Sequence, residues 1–177
     1  VNGKWVPAPG RQLFRKVRDT LGDLPIIAED LGVITDDVVA LIEECGYPGM
    51  KVLQFAFDSS EQNDYLPHNY DKHSVVYTGT HDNDTSAGWF ESASRSDRKI
   101  AADYLNIPVE SDGKTAASAM LRAAMASVSD LVVIPLQDIL GLDSSARFNT
   151  PGTLGENWKW RTAPGTPDEG SALRLRK

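Results

Sequence analysis

The sequence predicts an α/β domain built on a parallel sheet, and three observations predict it. Short apolar runs at residues 26–28, 50–57, 74–78 and 131–136 alternate with segments of helical period, the pattern of strand–helix units. The run 50–57 is apolar almost throughout, which suits a strand covered on both faces. Polar or acidic residues follow every run: Glu29, Asp58, His81-Asp82 and Asp138. Four such strands make either a small open sheet or the second half of an eight-stranded barrel. In a barrel the chemistry sits at the C-terminal strand ends, with different strands each supplying a residue.

Taken in order, residues 1–10 are rich in Pro and Gly and form a loop, with Asn2-Gly3 as a candidate hairpin turn. Leu13, Phe14, Val17 and Leu21 then fall at helical spacing, and Gly22 ends that helix. After the strand at 26–28, Thr35 is an N-cap and Asp36 and Asp37 complement the helix dipole. Val38, Leu41, Ile42 and Cys45 lie on one face of this second helix, which Gly46 closes and Pro48 keeps from continuing. Residues 58–72 are polar and include Asn63, Pro67 and Asn69, so they form a long loop. Helical patterns recur over 85–92, 96–105 and 115–128, the last rich in small residues that allow tight packing. Beyond Phe148 the chain is turn-rich and runs into a polar tail.

Composition narrows the function. With 177 residues the chain is long enough for one domain with a sizeable core, and 41% apolar residues is an ordinary soluble composition. The 18 basic and 25 acidic residues give −7, which argues against nucleic acid and against an anionic membrane surface. A neutral substrate such as a sugar polymer is not opposed by this charge. No apolar run approaches the roughly 20 residues of a membrane span, and no signal peptide is visible in a sequence that starts at Val1. Cys45 is the sole cysteine, so no internal disulfide forms. A reducing, cytoplasmic setting is the expectation. Asn83-Asp84-Thr85 matches a glycosylation sequon, a pattern common by chance.

The densest chemistry lies in Tyr77-Thr78-Gly79-Thr80-His81-Asp82-Asn83-Asp84-Thr85, directly behind a buried run. Loops at strand ends carry function while strands hold them still. Pro25-Ile26-Ile27-Ala28-Glu29-Asp30-Leu31-Gly32 similarly ends an apolar run in acidic residues and a glycine. Together with Arg147-Phe148-Asn149-Thr150-Pro151-Gly152-Thr153 and Glu156-Asn157-Trp158-Lys159-Trp160-Arg161, these stretches resemble, in order, motifs of the 4-α-glucanotransferases, the amylomaltase or disproportionating-enzyme family of glycoside hydrolases. The resemblance runs over nearly the whole chain and covers the C-terminal part of such an enzyme. The strand with the nucleophilic aspartate, in an Arg-x-Asp-His pattern, is not in this sequence.

The resemblance implies the C-terminal half of a (β/α)8 TIM-type barrel, strands five to eight, with residues 1–177 forming part of a single catalytic barrel whose N-terminal half is absent. It implies transfer of α-1,4-glucan segments with retention of configuration, without metal or organic cofactor. Glu29 matches the acid/base, and apolar neighbours at a strand end favour the raised pKa that a general acid needs. The blander reading makes Glu29-Asp30 a turn or cap pair. Asp82 and His81 match the pair that grips the sugar at the cleavage site, with Asn149 as a substrate contact. For Asn149 an ordinary turn role stands equally. Asn83 and Asp84 are expected to cap the following helix. Trp5, Trp89, Trp158 and Trp160 stack on sugars or, as the safer default, pack.

Other chemistries fail on the residues. Asp82-Asn83-Asp84 begins like a calcium loop, but Ser86 and Ala87 stand where that loop wants a ligand and a glycine, and no Glu follows at its twelfth position. Cys45 sits on an apolar helix face, where a thiol is inert packing. His68 and His73 lie on the polar loop and are expected to be solvated. No Gly-rich phosphate loop follows a strand. The alternative function is a catalytically silent carbohydrate-binding or regulatory remnant. The 177 residues alone are expected to be inactive and to self-associate through open sheet edges.

Overall fold

In the computed structural model the chain divides into two units, Val1–Met50 and Lys51–Lys177. Residues 3–4, 6–59 and 64–176 are described. The Asn2-Gly3 turn, Trp5 and Asn63 involve positions outside them.

The first unit is two helices and a connecting segment. α1 (Gly10–Leu21) and α2 (Asp36–Cys45) end at Gly22 and Gly46 as their sequences predict. Thr35 precedes α2 as expected, but its hydroxyl donates to Asp37 Oδ1 (2.5 Å) and does not cap the backbone. Arg11 and Arg15 donate to the two oxygens of Glu44 (2.6 and 2.8 Å), and Phe14 meets Tyr47 edge-on at 5.5 Å. Neither helix has a fully buried residue.

The strand predicted at 26–28 is absent. The Ala28 amide donates to the Pro48 carbonyl (2.9 Å), but no continuous ladder follows and Ile27 is exposed. An apolar triplet signals partial burial; a strand also needs a run of paired backbone groups. The segment is anchored instead by Asp30, whose Oδ1 accepts from the Met50 amide (2.7 Å). Position 49 must be glycine for this contact, because a Cβ there would lie 2.2 Å from Asp30 Oδ2.

The second unit carries the sheet and the core. β1 (Gly49–Val52), which straddles the division, β2 (Ser74–Tyr77) and β3 (Leu131–Val133) lie in the order β1-β2-β3. β2 and β3 run parallel, with Val75 opposite Leu131 and Tyr77 opposite Val133. Among the described residues three strands therefore stand where four were expected. The run 50–57 is strand only to Val52 and then winds into a 3-10 helix, Leu53–Phe57. Continuous apolarity reported burial correctly, since Val52, Leu53, Ala56 and Phe57 are all buried. It could not report backbone period. The run 131–136 likewise stops at Val133. Pro135, which has no N–H for a ladder, precedes a short helix, α6 (Leu136–Leu140), that the sequence reading did not contain.

Between β2 and β3 come α3 (Ser86–Ser92), α4 (Arg95–Leu105) and α5 (Gly113–Met125). Each starts on a side-chain cap: Thr85 accepts from the Gly88 amide, Ser94 from Asp97 and Asp112 from Thr115. Thr85, not Asn83 or Asp84, is thus the cap of α3. Ala116, Ala117, Ala119 and Ala124 are buried on α5, so α5 packs closely on α3. The core joins Leu53, Phe57, Val76, Phe90, Ala101, Met120 and their neighbours. Past Phe148 the chain is turn-rich as predicted, yet the tail contains α7 (Glu169–Leu175), begun by Asp168, whose Oδ1 accepts from the Ser171 amide (2.8 Å). Among the described residues no helix is long and apolar enough to cross a membrane.

Candidate active site

The loop 79–85 is tied down at both ends by one carboxylate. Asp138, 3% exposed at the start of α6, accepts from Thr78 Oγ1 (2.5 Å) at the end of β2. It also accepts from the Ser86 amide (2.7 Å) and hydroxyl (2.8 Å) at the start of α3. Burial pushes this carboxyl's pKa up, against the three donors that pull it down. Asp138 sits near the end of a predicted strand, but its oxygens are committed inside the protein. It is a brace, not a reacting group.

Between those ends the loop closes on itself. Asn83 Oδ1 accepts from both the amide and the hydroxyl of Thr80 (2.8 Å each), and the Asp82 amide donates to Thr80 Oγ1 (3.3 Å). Gln54 Nε2 donates to the Asp84 carbonyl (2.9 Å) and passes so close under Gly79 that a Cβ there would meet it at 2.5 Å. Asp84 Oδ2 accepts from Ser144 Oγ (2.6 Å). The loop is therefore rigid in its buried part and presents His81 and Asp82 outward, each with its side chain about half exposed (52% and 50%).

A second stretch, sixty-odd positions on, closes over Asp82. Asn149 Nδ2 donates to Asp82 Oδ1 (2.5 Å), and Arg147 Nη2 donates to the Asp82 carbonyl (2.7 Å). Arg147 Nε also donates to the Asn149 carbonyl (2.9 Å), so Arg147 ties the two stretches together. His81 Nε2 lies 3.4 Å from Asp82 Oδ1. The ring of Trp158 sits 5.1 Å from the imidazole. His81, Asp82 and Asn149 thus form one cluster, in which Asn149 bonds to the carboxylate of Asp82. Arg147 and Trp158 belong to the same cluster. The role of Arg147 has no sequence signal, since a guanidinium binding a backbone carbonyl leaves no pattern in the sequence.

Glu29 lies in the first unit, exposed on the segment between α1 and α2, next to the anchored Asp30. The apolar enclosure expected around it is not found there. Asp58 is exposed at the end of the 3-10 helix. His68 and His73 are exposed, as expected, His73 lying 3.8 Å from Asp130 and His68 stacking on Tyr104 at 5.7 Å. Trp89 packs on Phe57 at 5.6 Å, which is the packing role. Trp160 meets Phe148 edge-on and lines a separate cleft of about 480 Å³ with Glu91, Asp112, Lys114 and Asp143. Among the described residues no group of three His, Cys, Asp or Glu side chains is arranged to hold a metal ion.

A sheet flanked by helices carries at one strand end a polar loop on which a carboxylate and an imidazole are half exposed, with an asparagine amide bonded to that carboxylate. The family model described as 4-alpha-glucanotransferase matches residues 1–166, and the chain belongs to that family. The 4-alpha-glucanotransferase of Thermus thermophilus is 48% identical over 181 residues, covering 98% of this chain and 36% of its own length. That of Synechocystis sp. is 52% identical over 165 residues, covering 92% and 32%. Among solved structures, the amylomaltase from Streptococcus agalactiae in complex with acarbose superposes with a TM-score of 0.90 at 36% identity, covering 98% of this chain and 35% of that one. The amylomaltase from Corynebacterium glutamicum, at 18% identity and a TM-score of 0.58, is similar in fold. The chain spans about a third of the length of these relatives.

Proposed function

We propose that these residues are the C-terminal part of one catalytic (β/α)8 barrel, strands five to eight, in a cytoplasmic enzyme that moves α-1,4-glucan segments between maltooligosaccharide, starch or glycogen-derived chains. Glu29 is the acid/base. It gives its proton to the glycosidic oxygen as the bond to C1 breaks, while an aspartate outside these residues attacks C1 and forms a glycosyl ester. An acceptor hydroxyl then attacks C1, releases the aspartate and loses its proton to Glu29, so two inversions give net retention. This chemistry needs the two carboxyl groups about 5–5.5 Å apart, and no step calls for a metal or an organic cofactor.

Asp82 and His81 hold the ring that reacts. With Oδ1 held by Asn149, Oδ2 is the oxygen assigned to the ring hydroxyls. Contacts that strengthen as the ring flattens lower the barrier beyond what they add to substrate binding. Pre-set donors spare the site reorganisation during the reaction.

The observation that carries the reading is the grip of Asn149 on the Asp82 carboxylate (2.5 Å) and of Arg147 on the Asp82 backbone carbonyl (2.7 Å), which joins two family-like motifs at one residue. The acarbose bound by the Streptococcus agalactiae amylomaltase supports an oligosaccharide ligand. On this reading the 177 residues made alone lack the nucleophile, show no transfer and self-associate through open sheet edges. The test is to incubate the full-length enzyme with maltotriose. Glucose together with maltooligosaccharides longer than the substrate is expected. Hydrolysis alone counts against transfer, and binding without turnover favours the silent carbohydrate-binding alternative.

A further inference from the structure

The mechanism above uses Glu29, His81, Asp82 and Asn149 and gives Trp158 no part. Among the described residues only Asn106 and Trp158 combine a side chain with a positive φ (53° and 65°). Asn106 is the left-handed cap of α4, a place where asparagine is common. A bulky aromatic residue in that region is a genuine outlier, and such conformations persist where the surroundings hold them and cluster at functional sites.

The surroundings do hold it. The Trp158 amide donates to the Phe148 carbonyl (2.7 Å), and Arg161 Nη1 donates to the Trp158 carbonyl (2.9 Å). The indole lies against Phe148 (6.1 Å, 28° between planes) and beside His81 (5.1 Å, 37°). Yet the residue stays 53% exposed. Burial therefore does not explain it, as it does for Trp89. An unfavourable backbone holds a wide apolar ring at the surface, next to the imidazole of the sugar-gripping pair. A flat aromatic face beside convergent polar groups is how proteins bind an amphipathic ring, and a pyranose presents such a ring, with C–H bonds on its faces and hydroxyls on its rim.

We propose that Trp158 is a stacking platform for the glucosyl unit adjoining the one held by His81 and Asp82, and that it makes the enzyme prefer substrates long enough to reach it. The proposal rests on the glucanotransferase reading. Its test uses the full-length enzyme with Trp158→Ala, Trp158→Phe and Trp158→Gly. Trp158→Ala is expected to raise KM for maltotetraose by about tenfold or more, the size of one lost stacking contact, with kcat within about threefold. Trp158→Phe is expected to keep most of the affinity. Trp158→Gly is expected to match the alanine variant in KM while melting no lower than that variant, because glycine adopts φ 65° without the steric strain that an alanine Cβ meets.

A fall in kcat at unchanged KM would mean that the ring only orients His81, and would overturn the proposal. So would variants that keep both constants, or a glycine variant that melts well below the alanine variant. If the wild-type enzyme shows no transfer, the functional reading fails by itself, and calorimetric titration with maltoheptaose then decides Trp158. Binding that is about tenfold weaker in Trp158→Ala sustains the platform. Equal binding, or no binding by the wild type, ends it.

Discussion

The residues before and after Met50 are built by different rules. In Val1–Met50, α1 and α2 contain no buried residue, and they are joined by the surface ion pairs of Arg11 and Arg15 with Glu44 beside a half-buried edge contact of Phe14 with Tyr47. In Lys51–Lys177, a core of Leu53, Phe57, Val76, Phe90 and Met120 backs a loop whose ends both bond to the buried Asp138. Exposed ion pairs contribute little to stability. A buried carboxylate with three donors is different, because removing it strands each donor away from water. The candidate acid/base thus sits on a lightly anchored segment and the candidate sugar grip on a rigid one. The two roles suit that difference, since a group gripping a flattened ring must be held in place before the ring arrives.

The contrast is broken most directly by substitution. In the full-length enzyme Asp138→Ala is expected to cost on the order of 3 kcal/mol, because Thr78 Oγ1 and both Ser86 donors lose their acceptor. Asp138→Asn keeps an acceptor for the Ser86 amide and should cost much less. Glu44→Ala, the matching deletion in the first unit, should cost least of the three. Urea denaturation ranks them, and equal losses at Asp138 and Glu44 would erase the distinction.

A smaller effect appears in the pH dependence of melting. The Asp97, Asp112 and Asp143 carboxyls lie below their ordinary value of 3.8, chiefly through hydrogen bonds from Ser59, Thr115 and Ser145 respectively. Their stabilisation is present above 3.8 and is lost as pH falls through their lower folded values. Asp138 runs the other way. Burial raises its folded pKa above 3.8, so its contribution is complete below that value and fades as pH rises through the raised one. Melting of wild type and Asp138→Asn from pH 3 to 7 separates them. The variant should lose the fade on the upper side and keep the acid loss.

Much of this was legible in the sequence. The helix stops at Gly22 and Gly46 are readable because glycine ends helices by local geometry. The His81-Asp82 turn stood out because its residue types are improbable for a mere turn, whereas Asn149 read equally as a turn residue until the structure brought it against Asp82. Backbone period within an apolar run was not legible, which is why residues 53–57 and 136–140 turned out helical. Nor was the strand at 26–28 excluded, since pairing depends on distant partners. Asp168 before Glu169 did mark the start of α7, a signal hidden by the polarity around it. The left-handed backbone of Trp158 had no signal at all, because sequence gives no reason for a tryptophan to adopt it.

The division of labour between the two units is tested most directly by Glu29→Gln in the full-length enzyme, assayed for glucose and longer maltooligosaccharides from maltotriose. Glutamine preserves the shape of the exposed segment but cannot exchange a proton, so a loss of about a thousandfold or more in transfer is expected, with the melting temperature unchanged. Transfer close to the wild-type rate would remove Glu29 from the chemistry and contradict the account.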